Sequence, residues 1–202
     1  VTTTQELNAP GDLGIVESGG VIDAPLFGIY STAEGVTIRN AGGVSGSVVG
    51  DYLGSAGIFS SADANTILNS GKTEAHATGN VVLATGILTF NSSAVVNSGL
   101  VIGSSEGTSN YAWGVSVGAG STLMNSGSIQ ASTVGQFSEA TGVGGGYNNL
   151  IQNGGTIAAT SLGDMSIARG IRAATDSIIE NAGMIIAEAV GDDAYAYGMQ
   201  LQ

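Results

Sequence analysis

The chain has 202 residues, of which 34 are glycine, 2 proline and none cysteine, so collagen, disulfide scaffolds, thiol catalysis and zinc–thiolate sites are excluded together. An apolar fraction of 43% is too high for a disordered chain, while a charged fraction of 10% leaves room for few ion pairs. Sixteen carboxylates against four Lys and Arg give a net charge of −12, which repels phosphate backbones and anionic lipid, so neither nucleic acid nor direct membrane insertion is expected.

In chain order, residues 1–13 stand outside any pattern and contain Pro10; an N-terminal cap or strand is expected there. From residue 14 to 202 one unit repeats, and the expectation is a single domain cut off inside a repeat at Gln202. The tripeptide Asn-small-Gly opens with a degenerate copy, Glu17-Ser-Gly19, and then recurs at Asn40, Asn69, Asn97, Asn125, Asn153 and Asn181, with spacings of 28 or 29 residues. A second ladder, glycine followed by an apolar residue, runs through Gly28, Gly57, Gly86, Gly114, Gly142, Gly170 and Gly198 at the same period. A third glycine lies eight residues beyond each Asn-x-Gly glycine from Gly50 to Gly191.

Around these markers, β-branched residues alternate with polar ones. Ile15, Ile38, Ile67, Val95, Leu123, Ile151 and Ile179 precede the turn, and Val21, Val44, Thr73, Val101, Ile129, Ile157 and Ile185 follow it. Alternation at period two, broken by Gly and Asn every few residues, predicts three short strands per unit and no helix. A unit of 28 residues at about 3.3 Å per residue has a contour of about 90 Å, the length of one three-sided coil. The fold class is therefore all-β, a parallel right-handed β-helix of about seven coils. The asparagines are placed at a corner, where Asn tolerates the left-handed conformation and can hydrogen-bond its counterparts above and below. Ala84, Ala112, Ala140, Ala168 and Ala196 predict a narrow interior on the third side.

The phrase I-x-N-S-G-x-I-x-A, followed after a glycine-rich stretch by A-x-G-[IV], resembles the repeats of large bacterial surface adhesins, especially passenger regions of type V secreted autotransporters. The resemblance covers residues 14–202. It implies a right-handed β-helix exported across the outer membrane of a Gram-negative bacterium. It also implies a secreted or cell-surface location, and attachment to a protein or glycan on host or sibling cells. Two other functions fit the same repeats: a subunit that stacks end to end into a fibre or layer, and a polysaccharide-active β-helix enzyme.

Convergent chemistry is sparse. His76 is the only histidine, too few for an imidazole metal site, and Gly142–Gly146 resembles a phosphate loop without the Lys-Ser/Thr that would complete it. Asp51, Asp164 and Asp192 share one position of the repeat and Asp193 adjoins the last. Asp164 and Asp192 would lie one coil apart, near enough for calcium or paired-carboxylate chemistry, with Arg169 and Arg172 as the only nearby cations. Gln136, Thr108 and Asn80 occupy the other places of that column, so turn chemistry is the preferred reading. No catalytic residue, metal or cofactor is expected, and the chain is read as a non-enzyme. The favoured contact surface is aromatic. Tyr111 and Trp113 match Tyr195 and Tyr197 three repeats later, and Arg169 shares a column with Trp113 and Tyr197. Strict alternation would turn that column inward, so a bend or bulge at the neighbouring glycine is required to face it to solvent.

Overall fold

The computed structural model describes all of residues 1–202 and contains 22 strands and no helix. Strands β1 (Gln5–Leu7), β2 (Leu13–Val16) and β3 (Val21–Pro25) set an order that repeats as far as β22 (Tyr195–Leu201). Each strand pairs in parallel with the strand three places on, so the chain winds into a solenoid of about seven coils bounded by three sheets. Sheet A, which begins with β1, has eight strands; sheets B and C, which begin with β2 and β3, have seven each. Equivalent residues stack in register, with Asn97 paired to Asn69 on one side and Asn125 on the other.

The interior has two compartments. In the larger, Ile, Val and Leu from all three sheets form one continuous core, including Ile67, Ile87 and Val101. The smaller lies between sheets A and C and is lined by Ala112, Ala131, Ala140, Ala159 and Ala168, the narrow interior that the alanine column predicts. A pinch separates them. At Gly114 sheet A comes so close to sheet C that a Cβ would lie 2.4 Å from Ile129 Cγ2. Pairing skips this position, passing from Thr85–Trp113 to Ile87–Val115. Ala112 and Val115, three residues apart, are therefore both buried in the interior, so the face is reset by a bend that paired strands share, with no residue inserted in either.

Three corners close each coil by different means. Between sheets B and C the asparagine side chains form the expected ladder: Asn97 Nδ2 donates to Asn125 Oδ1 at 2.8 Å, and the same bond links every successive pair from Asn40 to Asn181. Asn97 Nδ2 also reaches Gly99 O and Ser128 O, both at 3.3 Å. None of these asparagines is left-handed, in contrast to the expectation. The bend is made by close approach instead, since a Cβ on Gly127 would lie 2.2 Å from Gly99 O. Between sheets C and A the third glycine column carries the bend: Gly135 has φ 138° and is followed by left-handed Phe137. Between sheets A and B a second buried ladder runs, in which Ser93 N donates to Ser121 Oγ at 3.1 Å and Ser121 N to Asn149 Oδ1 at 2.7 Å.

The first copy is displaced from the predicted register. Val16 pairs with Asn40 and Val21 with Gly43, so its turn is two residues longer than later ones. Gly20 rather than Gly19 lies beneath Gly42. Ile15 and Val21, expected inside, are exposed, and Val16 and Ile22 take the buried places.

Candidate functional site

Because sheet A bends inward at its glycine column, the residues on either side of that column converge on the outer face. Phe27 and Tyr30 flank Gly28, and their ring centroids are 5.5 Å apart. Phe59 packs 5.1 Å from Phe27 and 5.3 Å from Tyr30, and Phe90 extends the cluster at 6.4 Å from Phe59. The N-terminal part of this face is thus an aromatic stack that the sequence reading did not find. Its signal was present: aromatic residues three apart across a ladder glycine.

Further along, the face turns polar. Tyr111 and Trp113 lie on β13 (Tyr111–Val117), Glu139 and Thr141 on β16 (Glu139–Gly145), Arg169 and Arg172 on β19 (Ile167–Ala173), and Tyr195 and Tyr197 on β22. Register places Trp113, Thr141, Arg169 and Tyr197 in one column and Tyr111, Glu139, Ile167 and Tyr195 in the next. The two tyrosine-bearing strands are three coils apart, about 14 Å, so the structure does not join the aromatic pairs into one site. It does bring Arg169 against Tyr197, with the guanidinium carbon 6.0 Å from the ring centroid. Variety in the Trp113 column does not mean open exposure, since Ala56, Thr85 and Thr141 are buried on this concave face while Tyr111 and Tyr195 stand exposed at its rim.

Glu139 is the hinge of the polar region. Its Oε1 forms an ion pair with Arg169, whose side chain is only 10% exposed. Arg172 approaches the same oxygen at a longer 3.4 Å and keeps 35% of its side chain exposed. Removing either partner of the shielded pair would leave an uncompensated charge, the costly case for a buried ion pair. Arg172 Nη2 also donates to Gln202 Oε1 at 3.2 Å. Neither Glu139 nor this use of Arg172 was found from sequence, because a charge pair formed across one coil has no local spacing signature.

The glycine run acquires a reason here. Gly144 stacks on Ser116 and beneath Arg172, and a Cβ on it would lie 2.6 Å from Trp113 Cζ3. The indole therefore leans across one coil and occupies the space of the missing side chain. A shallow recess opens beside it, lined by Trp113, Gly144, Tyr147 and Arg172 among others.

The remaining candidates fall to ladder roles. Asp51 Oδ1 accepts from Asn80 N at 2.8 Å, Asn80 Oδ1 from Thr108 N at 3.4 Å, and Asp164 Oδ1 from Asp192 N at 3.0 Å. Side chains of this column thus tie three of its turns to the next. His76 lies on the outer face of sheet C, its Nδ1 2.9 Å from Ser104 Oγ and its Nε2 3.0 Å from Thr78 Oγ1. No cluster of three or more His, Asp or Glu side chains forms a metal-binding group. Against known proteins, no family model, curated protein or solved structure matches the chain.

Proposed function

We propose that this solenoid is a non-enzymatic adhesin-type module of the bacterial surface, part of an autotransporter-like passenger, which makes its contacts through the outer face of sheet A. One observation carries the reading: the ladders at the corners and in the core recur coil after coil, whereas seven of the eleven aromatic side chains lie on the strands of that one face, with two of the four Lys and Arg side chains beside them. A scaffold that only spans distance has no use for such a concentration, and stacked aromatic rings beside Arg are the chemistry of recognition. The partner is a protein or glycan on a host or sibling cell, and the location is the outside of a Gram-negative cell.

Beads coated with the full chain are expected to adhere to host or sibling cells, and a chain carrying Tyr111→Ser, Phe59→Ser and Arg172→Gln is expected to lose that adhesion while keeping its β-sheet circular dichroism. Undiminished adhesion of the triple variant would refute the assignment to sheet A. Acidic polysaccharides and simple ester and glycoside substrates are expected to show no turnover. Turnover abolished by Asp164→Asn or Asp192→Asn would overturn the non-enzyme reading.

A further inference from the structure

We propose that the recess beside Trp113 on the outer face of sheet A binds a single carboxylate-bearing sugar unit of a glycan, a hexuronic acid residue, with Arg172 as its anion partner. This rests on the reading of that face as the contact surface and specifies its ligand.

The recess is marked by a missing side chain. In the column Tyr30, Phe59, Leu88, Ser116, Gly144, Arg172, Gln200 only Gly144 has no side chain. Its place is taken by the edge of the Trp113 ring, and Ser116, Gly146 and Tyr147 line the recess beyond it. The indole and the phenol ring form a shallow surface suited to the C–H face of a pyranose, which is flat, rigid and loses little freedom on stacking.

Charge then selects among sugars. The chain has four cationic side chains in all. Two of them, Arg169 and Arg172, share the single carboxylate of Glu139, so the cluster of Glu139, Arg169 and Arg172 carries a net charge of about +1 in a protein of net charge −12. Arg169 holds Glu139 in the shielded pair, and Arg172, with the longer contact, keeps a partly exposed guanidinium whose Nε and Nη2 face Gln202 Oε1 at 3.4 and 3.2 Å. That edge of the planar guanidinium can instead donate two parallel hydrogen bonds to a carboxylate that takes the place of the Gln202 amide oxygen. The surrounding negative field opposes densely charged polyanions, so the fitting ligand has isolated carboxylates on an otherwise neutral ring.

The test uses the full chain and two probes: a linear trimer with one glucuronic acid residue between two neutral hexoses, and the same trimer with that carboxylate reduced to the alcohol. Calorimetric titration is expected to show binding of the acidic trimer that is about tenfold or more tighter than that of the reduced trimer. Arg172→Gln should remove this difference while leaving the weak binding of the reduced trimer in place. Tyr147→Ser, which removes the exposed ring at the edge of the recess without touching a charge, should weaken both, and retained circular dichroism and urea midpoint in both variants exclude unfolding as the cause. Equal binding of both trimers, no binding of either at millimolar concentration, or equally strong competition by penta-glutamate would overturn the proposal. If the acidic trimer fails to bind but adhesion of coated beads still depends on sheet A, the ligand class falls and the surface reading stands. If the trimer binds as expected but adhesion ignores this face, the surface reading falls alone.

Discussion

Two corners of each coil demand a left-handed residue, and they fill the position in opposite ways. Between sheets A and B it holds Gly35, Ala64, Ser92, Gly120, Asn148 and Asp176, small or polar residues of the kind that conformation favours. Between sheets C and A it holds Leu26, Tyr52, Val81, Ser109, Phe137, Met165 and Asp193. Bulky and β-branched side chains pay a conformational penalty there, and burial does not repay it, since Tyr52 is 78% and Phe137 50% exposed. At both corners the left-handed N–H donates to a carbonyl of the following coil, as in Phe137 N to Asp164 O at 3.0 Å and Ser92 N to Ala119 O at 2.8 Å. The ladder bond, and not residue preference, therefore holds the conformation. Side-chain identity at a corner is strict where one amide must both give and take a bond in every coil, as in the asparagine column, and where only glycine fits, as at Gly135.

That contrast can be broken at its strongest point first. Gly135→Ala places a Cβ 1.5 Å from Gly107 O at a φ of 138°, so the coils must separate; a loss of about 3 kcal/mol or more in urea denaturation is expected. A smaller change would mean that the glycine of this corner does not carry the bend. Asn125→Leu removes both ladder bonds, from Asn97 and to Asn153, and should cost about 1–3 kcal/mol. Equal midpoints for this variant and the parent would deny the amide column its role. Exchanging residues between the two left-handed corners sharpens the comparison further. Asn148→Phe is expected to lose about 1 kcal/mol, because it brings to the tolerant backbone position a ring that no neighbour covers. Phe137→Asn, the reverse exchange, should raise the stability by about 0.5 kcal/mol. A fall in stability for Phe137→Asn would show that the exposed ring contributes packing after all.

The same distinction explains what could be read without coordinates. Strand order, the three-sheet coil and the inward Ile and Val columns were legible because burial imposes one residue class at every copy. The asparagine ladder was legible for the same reason, although its left-handed backbone was a wrong inference from what Asn tolerates. The ladder through Ser93, Ser121 and Asn149 escaped notice because hydroxyl and amide serve interchangeably there and leave no shared letter. The first copy was misplaced because two extra turn residues, within Glu17–Gly20, shift the register while the motif still looks intact. At the candidate site, Tyr111, Trp113 and Arg169 stood out by type, but Glu139 and Gly144 take their meaning from a neighbour one coil away. No spacing within a single repeat encodes that.

The parallel pairing of successive coils also fixes how the molecule would bear load. Its ladder bonds run along the stacking axis, and residues near β1 and β22 lie at opposite ends of sheet A. Tension between them pulls along those bonds and opens them one coil after another, instead of sliding whole strands past each other. Each detached coil lengthens the tether by about 90 Å, so a solenoid anchored at one end and bound at the other would yield in equal steps while the undetached coils keep their fold.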